Sequence, residues 1–184
     1  MKAVTLILNL LFISLTSQAG TRSAEIESQV KALAQLGYGY TSYSAKGTTA
    51  QELVTSFLQG YYHDGELETG YKEYSEMSWG DEVEQGLTSI ASALQMKYFV
   101  IQWIESMVED LDASEPEVLK AQKLVERVNR LWNPTIKSLA KSGAQFGFTG
   151  HGPGFCGISF ITLLVIDVDA GVVYDVNLSE GGPC

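Results

Sequence analysis

Apolar residues recur along this chain in two rhythms, a helical one through the first three quarters and a strand-like one near the end. Ser23 to Leu36 places Ile26, Val30, Leu33 and Leu36 on one face of a helix, with Gly37 as its C-terminal cap. Thr49-Ala50-Gln51-Glu52 has capping-box spacing and opens a second helix through about Tyr61. From Asp81 to Asp110, Val83, Leu87, Ile90, Leu94, Tyr98, Ile101, Ile104, Val108 and Leu111 follow one another in steps of three and four, which predicts one long helix. Ser114-Glu115-Pro116-Glu117 repeats the capping-box spacing with proline in the first turn. It opens a helix with Val118, Ala121, Val125, Val128 and Trp132 on one face. Pro134 is expected to kink or end that helix, with a further turn or two reaching Lys141. Only Asp112 and Ala113 connect the two long helices, so they are expected to lie antiparallel.

The rhythm changes after Gly143. Residues 143 to 157 are rich in glycine and read as a linker. Residues 158 to 167 are β-branched or apolar almost throughout, and 172 to 178 resume a strand pattern. Between them, Val168-Asp169-Ala170-Gly171 is hairpin-turn chemistry. Tyr38 to Ala45 offers a third strand, since two strands alone make a weak sheet. The fold expected is α+β: one domain over 20–184, helical from 23 to 142, with a β-hairpin at 158–178 packed on the helical body.

The two cysteines, Cys156 and Cys184, strengthen the hairpin reading. Opposed residues of an antiparallel pair share a constant sum, and a turn at 168–171 sets that sum at about 339 to 340. The cysteines fall on the same value. A disulfide joining them would close a loop of about 28 residues, a constraint on the unfolded chain of roughly 3.5 kcal/mol.

The N-terminus implies export. Lys2 precedes an apolar run from Ala3 to Leu15, and Ser17-Gln18-Ala19 presents small residues for signal-peptide cleavage near Ala19. The run is shorter than the roughly twenty residues that a bilayer requires. The expected destination is a periplasm or the extracellular space, with no membrane span in the mature chain. A net charge of -10 from 22 acidic and 12 basic side chains repels nucleic-acid phosphates and anionic membranes. It favours a cationic protein as partner.

Candidate chemistry is sparse. His151 and Cys156 stand in one glycine-rich turn, where an imidazole and a thiol could act as base and nucleophile, but a disulfide would consume the thiol. Asp167, Asp169 and Asp175 have the alternating carboxylates of part of a calcium loop without its distal glutamate; a glycine-bulge turn uses the same residues with no metal. From 61 to 79, Tyr61, Tyr62, Tyr71, Tyr74 and Trp79 interleave with Glu66, Glu68, Glu73 and Glu76. Such a surface suits docking of a basic partner, the rings supplying area and the charges steering encounter. Tyr38 and Tyr40 could stack on a ligand or simply cover the core. The chain shows no nucleotide-binding, nucleophile-elbow or zincin motif and implies no cofactor. The expected function is an exported, non-catalytic binding protein, such as an inhibitor or immunity-type partner of a basic protein. The alternative is a secreted hydrolase using Cys156 with His151, or a carboxylate pair.

Overall fold

The computed structural model describes residues 20–37, 39–61, 70–71, 73, 83–151 and 160–178. Helix α1 covers residues 20–34. After it come β1 (Gly39–Ser44), α2 (Ala50–Tyr61), β2 (Gly70–Tyr71) and β3 (Val83–Thr88). The chain continues through α3 (Ile90–Ser106), α4 (Pro116–Lys141), β4 (Gln145–His151), β5 (Phe160–Asp167) and β6 (Val172–Asn177). The strands form a single sheet in the order β1-β6-β5-β4-β3-β2, antiparallel except for the short β2–β3 pair.

The expected hairpin is present, with the expected register. Thr162 faces Asn177 and Asp167 faces Val172. Gly171, at φ +65°, supplies the left-handed residue of the turn, and its N–H donates to the Val168 carbonyl at 3.3 Å. The third strand is also present: β1 pairs along the outer side of β6, Tyr40 opposite Val176. The hairpin is not an appendage on a helical body, however. It is the middle of the sheet, held on one side by β1 and on the other by β4. Cys156 and Cys184 lie outside the described residues, among which no disulfide is found.

Both faces of the sheet are covered by helices. On one face, Phe146, Phe148, Leu163, Val165, Tyr174 and Val176 pack under α1, α3 and α4. On the other, Leu164, Ile166 and Val173 pack under Leu53, Val54, Phe57 and Leu58 of α2. Trp132 is fully buried in the larger core, and its indole N–H donates to the Ala93 carbonyl at 3.0 Å. That contact joins the end of α4 to the start of α3. The opposite ends meet where Glu105 and Val108 approach Val118 and Val125, so the pair is antiparallel, as the short connection predicts.

Helix ends follow local chemistry. At α2, Thr49 Oγ1 accepts from the Glu52 N–H at 3.2 Å, and the Glu52 carboxylate accepts from the Thr49 N–H at 3.3 Å: the capping box is reciprocal. Glu52 also accepts from Thr48, and these bonds hold its carboxyl below the usual range. The second predicted box does not form. Glu115, not Ser114, is the N-cap of α4 and makes no side-chain cap bond; its carboxylate turns back to the Asp112 N–H at 3.2 Å. Pro116 does occupy the first turn. At the other end, the Gly143 N–H bonds the Ala140 carbonyl and the Ala144 N–H bonds the Leu139 carbonyl, a Schellman closure with Gly143 at φ +87°.

Two expectations are corrected, and the expected run of the last helix to Lys141 is met. Residues 83–88 form a strand, so the predicted helix from Asp81 begins only at Ile90, capped by Ser89 Oγ on the Ser92 N–H. Val83 and Leu87, four apart, satisfy a helix and a strand alike, and the pairing with β4 decides between them. Residues 145–151 form β4 rather than a linker. Glycine stands opposite a large residue from either side of the β3–β4 pair, Gly147 opposite Leu87 and Gly86 opposite Phe148. Pro134 does not end α4, which runs on to Lys141. Arg130, whose carbonyl the proline leaves unbonded, lies with Pro134 on the exposed side, while Trp132 and Ile136 anchor the inner side.

A Cβ on Gly147 would sit 2.7 Å from the Gly86 carbonyl oxygen, whereas one on Gly60, in the last turn of α2, meets nothing within 4 Å. Gly147→Ala should therefore destabilise by about 1–3 kcal/mol. Gly60→Ala should leave stability unchanged or raise it by up to about 1 kcal/mol. Urea unfolding midpoints of the two variants check the contrast.

Candidate functional site

A row of polar side chains crosses the α2 side of the sheet in register. Gln85 of β3 faces Thr149 of β4, Thr149 faces Thr162 of β5, and Thr162 faces Asn177 of β6. With strands about 4.8 Å apart, the row extends roughly 14 Å. Gln85, Thr149 and Thr162 are buried. Asp175 lies on the same face one pleat along, opposite Leu164 and Thr41. Gln85 Oε1 and Asp175 Oδ1 are buried with no hydrogen-bond partner among the described residues. Burial pushes the Asp175 carboxyl up from 3.8 to about 6. His151 closes β4 two residues beyond Thr149, paired with Phe160 and Val83. Cys156 lies outside the described residues. The row offers amide, hydroxyl and carboxyl groups for hydrogen bonding.

The three aspartates read as weak metal ligands are separated. Asp167 is buried, and its Oδ1 accepts from the Ala170 N–H at 3.1 Å, fixing the hairpin turn. Asp169 is exposed and pairs with Arg22 at 3.3 Å. Asp175 issues from the sheet face opposite to that of Asp167, because the pleat alternates side chains. No group of three metal-ligating side chains occurs among the described residues.

The acidic aromatic segment divides in a similar way. Tyr61 ends α2 and Tyr71 ends β2. Glu73 accepts hydrogen bonds from Ser89 Oγ at 2.8 Å and from Ser92 Oγ, so this carboxylate holds the N-terminus of α3, where the helix dipole favours a negative charge. Tyr62, Glu66, Glu68, Tyr74, Glu76 and Trp79 lie outside the described residues, as does Tyr38. Tyr40 covers the core, its ring 6.2 Å from that of Tyr174, and Tyr43 packs on Phe57 at 5.0 Å from the other face.

A different acidic surface stands at the far end of the helix pair. Glu105, Glu109, Asp110, Asp112, Glu115 and Glu117 occur between Lys97 and Lys120 without a single Lys or Arg among them. All but the half-buried Glu115 are exposed. Val108, Val118, Ala121 and Val125 line a groove of about 470 Å³, edged by Glu105, Gln122 and Glu126. Met107, Leu111 and Leu119, on the same two helix ends and the turn between them, are 48%, 38% and 48% exposed. The steps of three and four place Val108 and Leu111 on one helix face with Ile90, Tyr98, Ile101 and Ile104. The core stripe of α3 is instead Ala93, Met96, Val100 and Ile104, rotated away from Ile90 and Tyr98, which are 47% and 60% exposed. The run of unneutralised acids was the signal that could have marked this tip as surface.

The raised Asp175 carboxyl sets a pH dependence. The folded chain holds this proton more tightly than the unfolded chain, so the group's contribution is full below pH about 4 and is lost as pH rises through about 6. The loss is on the order of 3 kcal/mol. Asp175→Asn should be as stable as the parent near pH 4 and more stable at pH 7, which parallel urea titrations at the two pH values measure.

In comparisons with family models, curated proteins and solved structures, nothing matches this chain.

Proposed function

We propose that the chain is an exported, non-catalytic binding protein that engages a cationic protein, in the manner of an inhibitor or immunity-type partner. Export is supported by Lys2, the apolar run to Leu15 and Ser17-Gln18-Ala19. Among the described residues no helix is long and apolar enough to cross a membrane. The observation that carries the binding reading is the placement of charge: six acids from Glu105 to Glu117 sit on and beside one exposed turn, uninterrupted by a base, in a chain of net charge -10. Such a field steers a basic partner and rejects an acidic one.

The hydrolytic alternative needs a free Cys156 beside His151, or two carboxylates converging on one substrate. Asp167 and Asp175 issue from opposite faces, and Glu73 is engaged with Ser89 and Ser92. His151→Ala tests that alternative, since a binding protein should lose little by it.

Retention of the protein on an immobilised basic protein should be strong at low ionic strength and fall steeply as salt approaches about 0.5 M, where screening operates within a few ångströms. Glu109→Lys combined with Asp110→Lys and Asp112→Lys should weaken retention at least tenfold. Retention that ignores both salt and charge reversal overturns the proposal.

A further inference from the structure

We infer that the groove between the end of α3 and the start of α4 seats an apolar side chain presented on a cationic segment of the partner, so that recognition uses an anchor flanked by Lys or Arg. The inference rests on the cationic-partner reading and deepens it. Val118 is 8% exposed and fixes the floor of the groove, beside Val108 and Val125. The space exists because Ala121, on the same face of α4, has a side chain too small to fill it. The volume of about 470 Å³ lies at the scale of ligand-binding clefts, roughly 300–1,000 Å³. Open to solvent, with Val108, Ala121 and Val125 in its lining only partly buried, it offers apolar area that the chain's own described residues do not cover.

The rim selects the occupant. Glu105 and Glu126 edge the groove, and among the described residues no Lys or Arg lines it. A purely apolar occupant would bury these carboxylates without compensation, which is costly. A second copy of the chain would bring the same acids against them, the unfavourable case for a self-complementary contact. A cationic segment with an apolar anchor satisfies both the floor and the rim.

The test uses the whole chain and a fluorescent amphipathic peptide of about 18 residues built from Lys and Leu, long enough to form a helix. Its controls replace every Leu with Ser, or every Lys with Glu. Anisotropy should show the Lys/Leu peptide binding at least tenfold more tightly than the Lys/Ser peptide, and the Lys/Glu exchange should abolish binding. Ala121→Trp, which fills the groove, should weaken binding at least tenfold with circular dichroism unchanged. Glu105→Lys with Glu126→Lys, both on the exposed rim, should do the same by charge and serves if the tryptophan variant folds poorly. Equal binding of the Lys/Leu and Lys/Ser peptides, with Ala121→Trp silent, overturns the groove and leaves the charge reading standing. Failure of both cationic peptides, together with salt-insensitive retention on a basic protein, overturns both. A concentration-dependent dimer abolished by Ala121→Trp identifies a second copy as occupant and also overturns the inference.

Discussion

Strand β5 is apolar on both of its faces, and the rest of the architecture answers that constraint. Leu163, Leu164, Val165 and Ile166 are consecutive and each is fully buried. A strand alternates its side chains, so such a run needs an apolar layer above and another below. One layer is the triplet α1, α3 and α4, closing over Leu163 and Val165. The other is α2, a single amphipathic helix closing over Leu164 and Ile166. The backbone of β5 is likewise paired on both edges, by β4 and β6. A hairpin so placed is secured by its neighbours in the sheet as well as by its turn.

Much of this was legible in the sequence, for identifiable reasons. Turn chemistry at Val168 to Gly171 narrows the register to two neighbouring values, of which the structure adopts the one that sets Asp167 opposite Val172. Thr49 and Glu52 announced α2 because a reciprocal cap is a local device that owes little to tertiary context. What escaped depends on long-range pairing. β4 contains Gly147 and Gly150, which signal a linker in isolation, yet Gly147 is required where the Gly86 carbonyl and the Leu164 side chain press against it. β3 was absorbed into a helix because a four-residue step fits both periods. The run of apolar residues in β5 was visible, but its demand for a helix on each side was not drawn from it.

The candidate surfaces divide along the same line. Helix α3 carries apolar residues around most of its circumference, so periodicity alone could not tell which stripe faces Trp132 and which faces water. At the tip of the helix pair the spacing marks a face without saying what it meets, and the acids there mark it as surface. Conversely, Glu73 lay in a segment whose composition suggested a docking surface, while its carboxylate serves the start of α3. The polar row from Gln85 to Asn177 could not be seen without the strand order, since its members come from four strands scattered over about ninety residues.

The position of β6 has a consequence for how the chain acquires its structure. Strand β6 is inserted between β5 and β1, so Gly39 meets Asn177 and, among the described residues, no other strand borders β1. During synthesis, β1 has no partner in the sheet until residues 172–177 have been made. Closing so long a loop is slow, because chain entropy opposes it before the pairing can repay the loss. The sheet therefore completes itself only once β6 is available to bridge β5 and β1.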